Sequence, residues 1–544
     1  MTEITVFRAR QIVTMNALQP TATHVAMRDG RILAVGGADA ASSWGAARID
    51  DSFADKVLLP GFVEGHAHLM AGGIWRYTYL GFHDRTGPDG TPWPGATEID
   101  AVITRLKSAA TQPAENTASL VAWGFDPIFL PTERLNRRHL DTVSATRPIL
   151  VLHSNGHMVT VNSAALALVG YDRGSNVEGI GKFPDGEASG EVRGMAAMQP
   201  LLRRLGVDFR TLSRAETSLI PFAQACNRCG VTTATDLINE LTVEEVTRMR
   251  AVIERAEFPI RLYSALSAHT APPEEIVALA LKLAPMSTDK LRVGAVKIII
   301  DGSIQAFSAK LRWPGYFKAP EHSVWNMPPE TLFKVVDVLN AAGVQIHLHT
   351  NGDLATEMAL QAIERALDHH PRRDHRHTLQ HCQLPDRAQY RRIKALGLCV
   401  NLFANHLYYF GDKHHDVTVG PDRAHRMNAC GTALELGIPL AIHSDAPVTP
   451  MGPLFTAWCA VNRRTSSGRL LGPAERISVE QALRAITLGA AYTLFLDGEI
   501  GSIETGKRAD FAVLEADPLS VGGEALKDVP VWGTVLGGRA FKIP

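Results

Sequence analysis

Two histidines separated by one residue, His66 and His68, close the apolar run LLPGFVEGHAHLM. Successive side chains of an extended strand alternate sides, so both imidazoles point the same way. Neutral imidazole nitrogens converging on one point suit zinc or another borderline divalent cation. Alone the pair is a weak signal, because two ordinary strand-end histidines would read the same. The pattern recurs, however. Lys297 lies in VGAVKIIIDGSI, His349 in QIHLHTNGD, His381 in HTLQHCQL and Asp445 in LAIHSDAP, the last three at the ends of apolar runs. Four imidazoles and a carboxylate on one rim can hold metal and still leave a coordination position for water. An isolated ammonium among apolar residues is costly, and its pKa should fall. Two arrangements would relieve Lys297: carboxylation by CO2 to an anionic carbamate able to bridge two metals, or an ion pair with Asp301, four positions on and on the same strand face.

These residues need a scaffold that brings many strand ends together. Short apolar runs alternate with helical periods: PGFVEGHAH, GVTTATDL, FPIRLYSAL, RVGAVKIIID, GVQIHLHTNGD, HRHTLQHCQL, GLCVNLFANH and IPLAIHSDAP, with helical stretches such as TVEEVTRMRAVIERA and DLATEMALQAIERALDHH between them. This rhythm predicts an α/β fold, a (β/α)8 TIM barrel whose chemistry gathers at the C-terminal rim. The chain between His68 and Gly230 is far longer than a βα connection needs. It is expected to be a large insertion after the first barrel strand, leaving from the rim and placed to roof the pocket. Both termini carry short β-rich runs with turn signals, among them Asp29-Gly30, suited to a type I′ hairpin. They predict one composite β-sandwich formed by both termini. The expected boundaries are 1–59 for the N-terminal part of the sandwich, 60–80 for the first barrel strand and loop, 81–215 for the insertion, 216–497 for the rest of the barrel and 498–544 for the C-terminal part of the sandwich.

A chain of 544 residues can bury a substantial core, and a formal net charge of −1 argues against a nucleic-acid or polybasic membrane partner. The N-terminal residues lack a basic segment followed by an apolar one, and no run is long and apolar enough to span a bilayer, so the expected location is cytoplasmic. Six cysteines are too sparse for a disulfide framework. Cys226 and Cys229 form a CxxC with no second pair to complete a zinc ribbon, and are read as thiols of a helix facing the core. There is no GxSxG elbow, no P-loop and no GxGxxG between a strand and a helix.

PGFVEGHAH, VKIIIDGSI, HTNGD, RHTLQH, HSDAP and the terminal GSIETGKRADFAVL resemble the motif series of the amidohydrolase superfamily, in the branch that contains N-substituted formamide deformylase. The likeness runs through the insertion, with WGFDPIF and GHMVTVNSAAL. It implies that His66 and His68 ligate a buried metal, that Lys297 is the bridging candidate, that His349 and His381 hold a second metal, and that Asp445 is catalytic. It further implies one or two divalent ions, zinc first, a small-molecule substrate and a homodimer. The expected activity is hydrolysis of the C–N bond of a small N-acyl or N-formyl amine. The alternatives are hydrolysis of a lactone, carbamate or cyclic amide at the same centre, or a barrel that has lost catalysis and serves as a binding or scaffold protein. Two departures bear on the pocket: Glu64 stands where the superfamily commonly has Asp, and HTNGD where HAIGD is common.

Neighbouring residues divide by position. His347 and His443 share a strand face with His349 and Asp445 one layer deeper, which suggests supporting or core roles. His377, at the start of its strand, lies farther from the rim. His406, just past the seventh strand, is a candidate substrate contact. In the insertion, His153, Asn155 and His157 of HSNGH, with Asp126 of WGFD, either contact substrate or support the subdomain. Trp75, Trp313, Tyr316 and Phe403 are candidates for an apolar pocket wall.

Overall fold

The computed structural model describes residues 3–39, 44–111, 119–130, 133–156, 158–318, 323 and 325–543. They form two compact units, Met1–Leu69 with Ala223–Pro544, and Met70–Phe222.

In the first unit, the eight expected strands all form. They are Phe62–Glu64, Val231–Asn239, Arg261–Ser267, Val296–Ile299, Ile346–Thr350, Thr378–His381, Cys399–Leu402 and Leu440–Ile442, hydrogen-bonded in that order. Every neighbouring pair is parallel. Beyond the last regular residues, a parallel bridge joins Ala67 to Ala446. There Asp445 N–H donates to His66 O at 3.0 Å and His68 N–H to Ala446 O at 2.9 Å. The first and eighth strand ends therefore meet, as a TIM-like barrel requires.

The helices between strands start where their sequences provide caps. Thr242 Oγ1 accepts the Glu245 N–H at 3.2 Å while Glu245 Oε2 accepts the Thr242 N–H at 2.9 Å, a reciprocal box opening the helix Val243–Ile253. Asp386 and Gln389 repeat it for Arg387–Ala395.

The termini share one seven-stranded sheet, ordered Arg539–Lys542, Val531–Leu536, Phe511–Leu514, Ala47–Pro60, Ile4–Val13, Thr21–Arg28 and Arg31–Gly36. The pooling of both ends is thus observed, and the strands run in one continuous hydrogen-bonded order. Asp29 and Gly30, with φ of 52° and 74°, make the tight turn between Arg28 and Arg31. Such positive values at both central residues are what a type I′ hairpin demands. Phe7, Phe53, Phe511, Val513 and Val535 fill the core on this sheet. A buried ion pair links it to the barrel, with Arg261 Nε donating to Asp510 Oδ2 at 2.8 Å.

The second unit contains the segment expected as the insertion, 81–215. Its six-stranded sheet is ordered Ile180–Lys182, Ala188–Arg193, Met158–Val161, Ile149–His153, Leu120–Phe125 and Thr78–Tyr79. Leu150 and Leu152 pack on one face with Trp123, Met198 and Leu201. Ile149 and Val151 pack on the other with Val102 and Leu106. Burial of both faces explains the unbroken apolar run Ile149–Leu152, since neither side alternates to polar. No helix among the described residues is long and apolar enough to cross a membrane.

Candidate metal centre

His66 is 1% exposed, and Gln380 determines which of its nitrogens carries the proton. Gln380 Oε1 lies 2.8 Å from His66 Nδ1 and also accepts from Asn401 Nδ2 at 2.9 Å, while its Nε2 donates to His347 Nδ1 at 3.0 Å. A carbonyl oxygen only accepts, so His66 holds its proton on Nδ1 and presents the Nε2 lone pair. That Nε2 is 3.4 Å from Asp445 Oδ1, and His68 Nε2 is 3.2 Å from the same oxygen. His381 Nδ1 lies 3.8 Å from Asp445 Oδ2, and its ring centroid is 4.5 Å from those of His66 and His349.

Two overlapping groups, His66 with His381 and His443, and His66 with His68 and Asp445, each place their ligand atoms within 4.8 Å of one another. His381 Nδ1, both nitrogens of His443, Asp445 Oδ1 and Lys297 Nζ are buried without a hydrogen-bond partner among the described residues. Buried polar atoms are normally paired. Burial holds the pKa of His66, His381 and His443 well below the ordinary imidazole value, which keeps lone pairs available. These donors fit a divalent cation.

Backbone geometry aims them. His381 and Asp445 have φ of 66° and 55°, in the left-handed region that non-glycine residues rarely occupy and that recurs at functional sites. The position of His443 adds to the parity reading: its ring nitrogens come within ligand distance of His66 and His381, so it is a candidate ligand as well as a supporting residue. Its strand ends at Ile442, and the bend that follows stacks its ring 4.8 Å from that of His66. His347 does take the deeper position, between Gln380 and the Tyr263 hydroxyl at 3.4 Å. His377 is at the strand base, accepting the Ile346 N–H at 3.1 Å.

Lys297 is 1% exposed, and burial lowers its pKa to about 7 against the pull of Asp445. The alternative arrangement, an ion pair of Lys297 with Asp301, does not form. Its strand ends at Ile299, so Asp301 lies in the following loop and not on the same face. There Asp301 accepts backbone N–H groups from Asn351 at 3.0 Å and from Gly352 and Lys310, both at 2.9 Å. His349 Nε2, 3.8 Å from Asp301, makes a 2.9 Å hydrogen bond with Asn351 Nδ2 and stands outside the two tight groups. Glu64 clamps the first strand to the eighth: it accepts from Ser444 Oγ at 2.8 Å and Ser444 N at 3.1 Å. Burial pushes its pKa up to about 7.

The substrate candidates separate. His406 is buried beside Phe403, whose ring lies 4.7 Å from that of His443. Trp313 is 93% exposed, so its ring packs against almost nothing and is not part of an enclosed wall. Tyr316 is buried in an apolar cluster with Ile304, Leu311 and Leu384, its hydroxyl accepting the Ala309 N–H at 2.9 Å. Trp75 packs in the second unit against Trp123, centroids 5.1 Å apart. In that unit Asn155 Nδ2 approaches Met158 Sδ at 3.8 Å, and His153 Nε2 bonds Thr160 Oγ1 at 2.9 Å. Asp126 accepts from Ser154 Oγ at 2.9 Å. His157 lies outside the described residues. Cys226 packs its thiol 3.4 Å from Met451 Sδ, and Cys229 donates to Met451 O at 3.4 Å, as core-facing thiols do.

The profile of the amidohydrolase family matches residues 54–541. The chain belongs to that family. This amidohydrolase is 28% identical over 555 residues to the protein LONG AFTER FAR-RED 3 of Arabidopsis thaliana, covering 97% of this chain and 90% of the relative. It is 25% identical over 546 residues to N-substituted formamide deformylase of Arthrobacter pascens, covering 96% of each. Among solved structures, an uncharacterised metal-dependent hydrolase from Pyrococcus horikoshii shares the fold with a TM-score of 0.72 at 19% identity, over 96% of this chain and 99% of the other.

Proposed function

We propose that this amidohydrolase uses a divalent metal to cleave the C–N bond of a small N-acyl or N-formyl amine. The observation that carries the proposal is the convergence of His66, His68, His381, His443 and Asp445 on one rim, with buried donor atoms that no hydrogen bond satisfies. His66, His68 and Asp445 would hold one ion; His381, His443 and His349, with Lys297 as its carbamate, are the donors for a second. A bound cation such as zinc would polarise the substrate carbonyl and lower the pKa of a water.

The chain's own groups do the rest. Asp445, fixed through its backbone to His66, takes the proton of the attacking water and returns it to the departing amine. Gln380 keeps the His66 proton on Nδ1 and the ligating lone pair inward. The enclosing strands keep bulk water from competing. The formamide class draws support from the full-length likeness to the deformylase.

The test is a metal assay of the purified protein, followed by hydrolysis of N-benzylformamide, N-acetyl amines, lactones, carbamates and cyclic amides before and after chelation. Metal-dependent release of amine from the formamides and acetyl amines is the expected result. Turnover confined to lactones, carbamates or cyclic amides would replace the substrate class, and activity that survives complete chelation would overturn the metal mechanism. A protein with neither metal nor turnover would be a binding barrel.

A further inference from the structure

Behind Phe403 lies a chain of side chains that the metal centre does not use. His406 Nδ1 is 2.9 Å from His414 Nε2, and His414 Nδ1 is 2.8 Å from Thr418 Oγ1. All three residues are buried, with at most 1% exposure. His406 belongs to the helix Asn405–Lys413, close after the barrel strand Cys399–Leu402, and therefore stands on the C-terminal rim. His414 and Thr418 bound a π-helical turn, a local irregularity that often marks functional sites. The rings of Phe403 and Phe410 flank His406, with centroids 4.6 and 4.5 Å away.

The direction of the chain follows from hydrogen-bond accounting. Thr418 Oγ1 has one partner among the described residues, His414 Nδ1. Were it to accept from that nitrogen, its own proton would be buried without an acceptor. Orphaned donors are rarer than under-used acceptors. Thr418 therefore donates to His414 Nδ1, His414 donates from Nε2 to His406 Nδ1, and His406 carries its proton on Nε2. Burial lowers the pKa of both imidazoles, so both stay neutral. His406 Nε2 has no partner among the described residues, yet it is not among the fully enclosed polar atoms, so it looks onto accessible space.

We infer that His406 is a neutral Nε2–H donor to an oxygen of the substrate, and that His414 and Thr418 are positioning residues that hold it in this tautomer. The role in turnover rests on the hydrolase reading; the tautomer does not. An oxygen of the scissile acyl group, which gains negative charge as water adds, is the acceptor class that such a donor favours.

The experiment uses full-length, metal-loaded protein labelled with 15N-histidine, with His406 assigned by its loss in His406→Gln. Two-bond 1H–15N correlations should show His406 as the Nε2–H tautomer, and Thr418→Val should admit the Nδ1–H form while Thr418→Ser should not. A wild-type His406 that is Nδ1–H or doubly protonated overturns the inference whether or not any substrate is turned over. On an amide the wild type hydrolyses, Thr418→Val should lower kcat about tenfold with KM and metal content little changed, and Thr418→Ser should recover most of it. If Thr418→Val shifts the tautomer and leaves kcat and KM unaltered, the donor role is wrong. If wild type hydrolyses none of the amides, the amide-cleavage reading of the proposed function fails, while the spectra still decide the tautomer.

Discussion

Replacing Gln380 with leucine should weaken metal binding without any loss of a ligand. In the native barrel the Gln380 carbonyl oxygen accepts from His66 Nδ1 at 2.8 Å, which leaves Nε2 unprotonated and 3.4 Å from Asp445. Leucine fills similar space but accepts nothing. The buried Nδ1–H is then orphaned, at a cost of about 1–3 kcal/mol. The imidazole relieves that cost by moving its proton to Nε2, the nitrogen that must be bare to bind metal. Returning it to Nδ1 subtracts from the binding energy, and at about 1.4 kcal/mol per tenfold this corresponds to roughly 10- to 100-fold weaker affinity, the range seen for partners of metal-bound histidine elsewhere. Competition with a colorimetric zinc chelator measures the change, with thermal unfolding of the apo form to confirm that the barrel is intact. Gln380→Glu keeps an acceptor facing His66 and should lose less than tenfold. Affinity within about twofold of wild type in a folded Gln380→Leu would refute the argument that this amide selects the ligating tautomer.

Further outcomes follow from other contacts. Asp445→Asn should lower kcat by about 10²-fold, the scale of a lost general base, with at least one metal still bound by elemental analysis; a near-native rate would reassign the residue to structure. Asp510→Ala leaves Arg261, whose side chain is 8% exposed, with the half-exposed Asp289 as its one acidic partner among the described residues. Denaturant unfolding should register about 3 kcal/mol of destabilisation, the lower end for a broken buried pair. In the second unit, burial raises the Asp126 pKa from 3.8 to about 6, partly offset by hydrogen bonds from Ile128 N–H and Ser154. The unfolded carboxyl therefore ionises first: its contribution to stability is complete below pH 3.8 and is lost as pH rises to about 6. Asp126→Asn should remove that loss, shifting the difference between variant and wild type by about 3 kcal/mol in favour of the variant across this window. A constant difference would place the carboxyl in contact with water.

The eight barrel strands, the helices between them and the Asp29-Gly30 turn were legible in the chain because each rests on local physics: side-chain period, caps and permitted φ. His66, His68, His381 and Asp445 were legible for the same reason, as polar residues at the ends of apolar runs. Local period stops being informative where the strands end. The parity argument gave His443 a supporting role below Asp445, but the strand finishes at Ile442 and the His443 ring comes within ligand distance of His66 and His381. It likewise put Asp301 beside Lys297, although the backbone leaves the strand after Ile299 and backbone amides from residues 310, 351 and 352 take the carboxylate. Gln380 gave only the hint of an amide within a buried strand, since its partners are His347 and Asn401, on two other strands, and His66, just past the end of a third. Which nitrogen of His66 carries a proton, and whether Lys297 finds a counter-charge, are set by groups far apart in sequence. Only closure of the barrel brings those groups within hydrogen-bonding distance, and so only the tertiary structure could decide them.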